Sequence, residues 1–149
     1  MEQSNQKKLI AEILKHSNSP KWEYAKLEWD LKNIFQKDNH CVCGHEINDN
    51  CVIENIHNGN KMIVGNVCVE KFLPIKSKSI FDGLKRIIND KSKSTSKKML
   101  EYCYLRKILN QWEYEFYNNI HKKRKLTEKQ KKRKFALNYK IIRSIKNDN

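Results

Sequence analysis

The chain has 149 residues, 38% of them hydrophobic and 32% charged, with a formal net charge of +14. That fits one domain of ordinary size, or a small domain with helical additions, around a modest core. No run of 18 apolar residues exists and MEQSNQKKLIAEILKH has no long apolar stretch, which argues against a membrane span and a secretory signal; four Gly and two Pro argue against collagen-like, linker-like or many-turned β architectures.

Residues 4–16 read as a short amphipathic helix with Leu9, Ile10, Ile13 and Leu14 on one stripe. Ser17-Asn-Ser-Pro20 breaks it, and Ser19 followed by Pro20 suits the start of a second helix. That helix is expected over about 20–35, with a wide apolar stripe through Trp22, Tyr24, Ala25, Leu27, Trp29, Leu31, Ile34 and Phe35. From Asp38 the pattern changes. CVIEN (51–55) and KMIVG (61–65) are strand-like, and Asn58-Gly59 between them signals a hairpin turn. After Val64-Gly65-Asn66, VCVEKFL begins a short helix that Pro74 ends. Ile80, Phe81, Leu84, Ile87 and Ile88 lie at helical spacing, and KSKSTSK (91–97) reads as a solvated loop. A single long helix is expected over 97–120, striped by Leu100, Tyr104, Ile108, Trp112, Phe116 and Ile120. Thr127 with Gln130 three residues on makes a capping box that opens a last helix, with Phe135, Ile141, Ile142 and Ile145 inward. The organisation is therefore an N-terminal helical segment (1–37), a metal-binding module (38–75) and a basic helical region (76–149).

Five cysteines, an odd number without an export signal, do not suggest a disulfide framework. Four of them, Cys41, Cys43, Cys51 and Cys68, fall within 28 residues beside His40, His45 and His57. Such clustering in a reducing compartment points to metal. Zinc fits best, since it takes thiolate and imidazole in a closed tetrahedron without redox chemistry. Gly44 lets the chain turn so that neighbouring side chains converge on one ion. The favoured ligands are Cys41, Cys43, His45 and Cys68, with Cys51 the rival for the fourth place and His40 or His57 outside candidates. Cys103, in mid-helix, reads as a core thiol. A site with three thiolates is structural rather than catalytic, because they blunt the ion as a Lewis acid.

The string EWDLKNIF…CVCGHEI…CVIEN…NGNKMIVGNVCVEKF resembles a zinc-knuckle module of small proteins from large DNA viruses and phages. There a C-x-C-G-H-x-I knuckle precedes a hairpin and then V-G-x-x-C at a helix start, an order similar to a treble clef. Leu126-Thr-Glu-Lys-Gln130 resembles a helix start carried near the C-terminus of such proteins. The resemblance covers residues 22–73 and, more weakly, 126–145. With the helical patterning of the rest of the chain, the expected fold is mainly α with a small zinc-bound, treble-clef-like β-hairpin inserted among helices; the resemblance implies a structural zinc on Cys41, Cys43, His45 and Cys68, and a viral origin. The implied place of action is inside a host cell: cytoplasm, viral factory, nucleus or virion.

Charge is divided unevenly. Residues 1–75 hold nine Lys/Arg against ten Asp/Glu, and residues 76–149 hold 22 against seven. Lys, Asn and Ile fill 59 of 149 positions, the mark of AT-rich coding, but both halves share that bias and only one is basic. An anionic partner is therefore expected for the second half. KKRKLTEKQKKRK (122–134) carries nine Lys/Arg and one Glu. Lys122, Lys123, Arg124, Lys125, Lys131, Lys132, Arg133 and Lys134 are expected to contact DNA or RNA phosphates without sequence preference, since Arg, the usual guanine reader, is scarce. Tyr114 and Tyr117 read as exposed and able to stack bases. The expected function is a non-enzymatic, zinc-structured nucleic-acid binder. The alternatives are an adaptor that meets a viral or host protein through the zinc module and aromatics in 20–35, and a treble-clef nuclease using His40 or His57.

Overall fold

The computed structural model describes residues 2–147, which contain seven α-helices, one 3-10 turn and one three-stranded antiparallel sheet. Among them no helix is long and apolar enough to cross a membrane. The chain divides into two compact units, Met1–Ile75 and Lys76–Asn149.

The first unit starts with α1 (Glu2–Lys15), which buries Leu9 and Ile13, four residues and one turn apart. A single turn, α2 (Trp22–Ala25), and a 3-10 turn at Lys26–Glu28 lead into β1 (Trp29–His40). The helix expected over 20–35 is thus cut to short turns over 22–28, and from Trp29 onward it is strand. Trp29 and Leu31 alternate inward as strand residues do, but an extra residue bulges between Leu31 and Asn33, so Ile34 rather than Asn33 becomes the next buried position. The bulge turns a period of two into a spacing of three. It mimics a helical stripe.

β2 (Glu46–Asn55) is central, pairing with β1 on one side and with β3 (Lys61–Gly65) on the other. The hairpin forms where the sequence places it: Gly59 takes φ +79°, its N–H bonds the Asn55 carbonyl at 2.9 Å, and the Asn55 N–H bonds Asn60 at 2.8 Å. β3 passes directly into α3 (Asn66–Glu70). β1 also runs through residues 37 and 38, so no boundary falls there, and the knuckle is the turn that joins β1 to β2.

Buried polar groups tie this unit together. The Glu28 carboxylate accepts N–H bonds from Asn18 and Ser19 and one from the Asn55 amide, at 2.8–2.9 Å. Asn58 and Asn60 both donate to the His16 carbonyl at 3.0 Å, which fastens the end of α1 to the hairpin turn.

The second unit is helical: α4 (Ser77–Asn89), α5 (Lys97–Leu105), α6 (Gln111–Ile120) and α7 (Glu128–Asn147). The single helix expected over 97–120 is two helices. Lys107 adopts φ +61°, the N–H groups of Ile108 and Leu109 bond back to the Cys103 carbonyl, and Asn110 restarts the chain through a complete capping box with Glu113. The break puts Leu109 in the core and leaves Tyr104 and Trp112 exposed. Tyr117, expected at the surface, is fully buried, and Phe135, expected inward, is half exposed. The Tyr117 hydroxyl accepts from the Thr95 N–H at 3.0 Å and donates to Asn138, whose amide holds the Lys91 and Lys93 carbonyls at 2.8 Å each. Burial pushes the Tyr117 phenol up to about 12. At Gly83 of α4 a Cβ would lie 2.4 Å from the Ser96 hydroxyl, so only glycine lets the start of α5 approach this closely. The Thr127–Gln130 capping box is formed in both directions, and Ile141, Ile142 and Ile145 are buried.

Candidate functional site

Three thiols converge in the first unit. Cys41 and Cys43 leave the end of β1 in a tight turn, where the Cys41 N–H bonds the His45 carbonyl, the Gly44 N–H bonds the Cys41 carbonyl, and Gly44 takes φ +99°. Cys68 comes from α3, which β3 delivers beside that turn. The sulfurs of Cys41, Cys43 and Cys68 lie within 4.8 Å of one another, and those of Cys43 and Cys68 are 3.5 Å apart. Sulfurs sharing a tetrahedral zinc sit about 3.8 Å apart, given Zn–S near 2.3 Å. The three buried cysteines could therefore hold a metal ion without large rearrangement.

The donor chemistry agrees. The Cys43 N–H points at the Cys41 sulfur at 3.5 Å, and the Gly65 N–H also approaches it. With the Cys68 thiol bonded to it and those two amides beside it, Cys41 is held well below the ordinary thiol range, at about 5. Cys68, sharing the proton, moves upward. Close packing here depends on Gly65, where a Cβ would lie 2.9 Å from Ile47.

The expected fourth ligand stands differently. His45 lines the same cavity, of about 440 Å³, but its ring is exposed, its Nε2 meets the Asn5 amide, and it lies outside the three-sulfur cluster. Cys51 is buried in β2, also outside the cluster, and burial pushes its thiol up to about 12. Glu46 and Asp49 share the cavity wall. His40, opposite Glu46 in the sheet, and His57, past Asn55, sit at opposite ends of β2, about 30 Å apart at strand rise. Cys103 is a buried thiol of α5, remote in sequence from this cluster.

The cations occupy the second unit. Lys122, Lys123, Arg124, Lys125, Lys131, Lys132 and Arg133 are exposed. Lys134 is not: its side chain is buried and desolvation draws its pKa down. Lys131 pairs with Glu128 at 3.5 Å, whereas Lys122, Lys123, Arg124, Lys125 and Lys132 meet no carboxylate among the described residues. Lys123, Arg124, Lys131 and Lys132 line a cleft of about 600 Å³ with Ser92, Leu126 and Phe135. A second cleft, of about 470 Å³, is walled by Trp112, Phe116, Lys132 and Arg133. Sequence reasoning missed Trp112 and Phe135 as surface groups; the Asn110-x-x-Glu113 capping signal was the available clue for Trp112.

No family model, curated protein or solved structure matches the chain.

Proposed function

We propose that the protein binds nucleic acid through phosphate contacts of its helical unit, while a structural zinc on Cys41, Cys43 and Cys68 orders the other unit. The observation that carries the first part is the cleft lined by four solvent-exposed cations, three of them without a carboxylate partner among the described residues. Such a surface gains phosphate affinity by releasing counterions and carries no sequence preference of its own. For the metal, three converging thiols favour zinc over harder cations. In this reading the knuckle, hairpin and short helix form a treble-clef-like module, and His45 supplies the fourth donor from the wall of the same cavity. Bound zinc supplies folding free energy rather than chemistry.

The test uses the full chain and labelled oligonucleotides across a salt series. A variant with Lys122, Lys123, Arg124, Lys131 and Lys132 all changed to Gln is compared with the wild type. Binding that falls steeply with salt in the wild type, with a slope shallower by about 3 to 4 in the variant, is the expected result for a single strand. Equal slopes would overturn the assignment of these cations.

A further inference from the structure

The helical unit places aromatic rings where the cations are. Trp112 is 55% exposed and Phe135 50% exposed, in a unit that buries Phe81 and Tyr117 fully and also leaves Tyr104 and Tyr139 exposed. Trp112 lies parallel to Phe116, with centroids 5.4 Å apart and an interplanar angle of 11°, and the Arg133 guanidinium sits 5.0 Å from the Trp112 ring centre. Ring-on-ring and guanidinium-on-ring layers are therefore already assembled at the surface. Phe135 lines the cationic cleft, and Lys132 lines both that cleft and the aromatic one.

From this juxtaposition we infer that the preferred ligand is a single strand, whose phosphates take the Lys123–Lys132 cleft while an unpaired base continues the Trp112–Phe116–Arg133 stack. The inference rests on the phosphate-binding reading and names its substrate class. A duplex keeps its bases stacked on each other and offers these rings little. A single strand presents π-faces that stack on aromatic rings and guanidinium planes alike. Charge explains why the rings remain outside: an apolar partner surface would leave Arg133 and Lys132 desolvated without a counter-charge, whereas a nucleotide brings anion and ring together.

The experiment titrates the full-length protein with a fifteen-residue oligothymidylate, an abasic oligomer of the same length and charge, a duplex, and polyglutamate as competitor. The wild type should bind oligothymidylate about tenfold more tightly than the abasic strand. Trp112→Ala should erase that ratio while keeping the salt slope, Trp112→Phe should retain most of it, and Arg133→Lys should reduce it at constant charge. Phe135→Ala gives an independent second variant, and the circular dichroism melt of each reports folding. Equal affinity for thymidylate and abasic strands with a steep salt slope would overturn stacking while leaving the phosphate reading intact. Weak, salt-insensitive binding to every oligomer would overturn both. Competition by polyglutamate as effective as that by oligothymidylate would overturn the single-strand assignment in favour of an acidic protein segment.

Discussion

Residues 1–75 and 76–149 are almost equal in length, yet what holds each together differs in kind. The first unit has a three-stranded sheet, short helices, a slight negative charge and four of the five cysteines, three of them gathered at one end of the sheet. The second has four helices, two complete capping boxes and a buried hydrogen-bond network centred on Tyr117 and Asn138. A small sheet buries little apolar surface, and a metal held by the three thiols would compensate for that deficit. Helices that carry their own caps and core leave their outer faces free to vary. It is on those faces that the excess of 22 Lys/Arg over seven Asp/Glu has accumulated.

The largest test of this contrast is removal of the thiol cluster. Chelation, Cys43→Ser or Cys68→Ser should abolish bound zinc and remove stability on the order of 10 kcal/mol from the first unit. The helical signal of residues 77–147 should persist. Two separate melting transitions, only one of them metal-dependent, are the expected result; a single transition lost throughout would mean that the units are not independently held. His45→Ala should weaken metal binding without destroying the three-sulfur cluster, and Cys51→Ala should leave metal content unchanged.

The converse break is Asn138→Ala. It strips the acceptor from the buried Tyr117 hydroxyl, which keeps only the Thr95 N–H, and the amide donor from the part-buried Lys91 and Lys93 carbonyls. A loss of about 2–4 kcal/mol follows, lowering the second transition by roughly 10–20 °C for a unit of this size. Metal content should not move. A variant that lost zinc as well would show the two units to be energetically coupled.

The same division governs what the sequence reveals. The hairpin was legible because Asn58-Gly59 is a local signal flanked by two β-rich runs, and the thiol cluster because C-x-C-G-H and V-G-x-x-C carry their geometry in their spacing. The Thr127 capping box was legible for the same reason. β1 was not, because its bulge after Leu31 depends on pairing with β2, where Leu31 meets Ile53 and Asn33 meets Val52, far along the chain. The α5–α6 break was hidden in another way. Apolar residues continue at helical spacing straight through Lys107, and only Asn110 with Glu113 marks the restart. Reading one stripe across that break assigned Trp112 to the core and Tyr117 to the surface, the reverse of what forms. The fourth metal donor depends on side-chain orientation, which spacing does not specify.

The smallest expected effect is confined to acid. Glu28 is buried, and the Asn55 amide, then the Asn18 and Ser19 N–H groups, hold its carboxyl below the usual glutamate range. Because the folded-state pKa lies below the unfolded one, near 4.3, the charged form contributes stability above about pH 4.3 that is lost as pH falls through the folded value. Glu28→Gln should therefore lower the first transition at pH 7, since one amide oxygen cannot replace two carboxylate oxygens facing three donors. The gap between wild type and variant should narrow as pH falls toward 3. Acid would also protonate thiolates of the cysteine cluster, but in both proteins alike, so the difference between their melting curves isolates Glu28. Curves that stay parallel from pH 7 to pH 3 would show that the carboxylate contributes through packing alone. A matching shift in the helical unit would show that its effect crosses the boundary at residue 75.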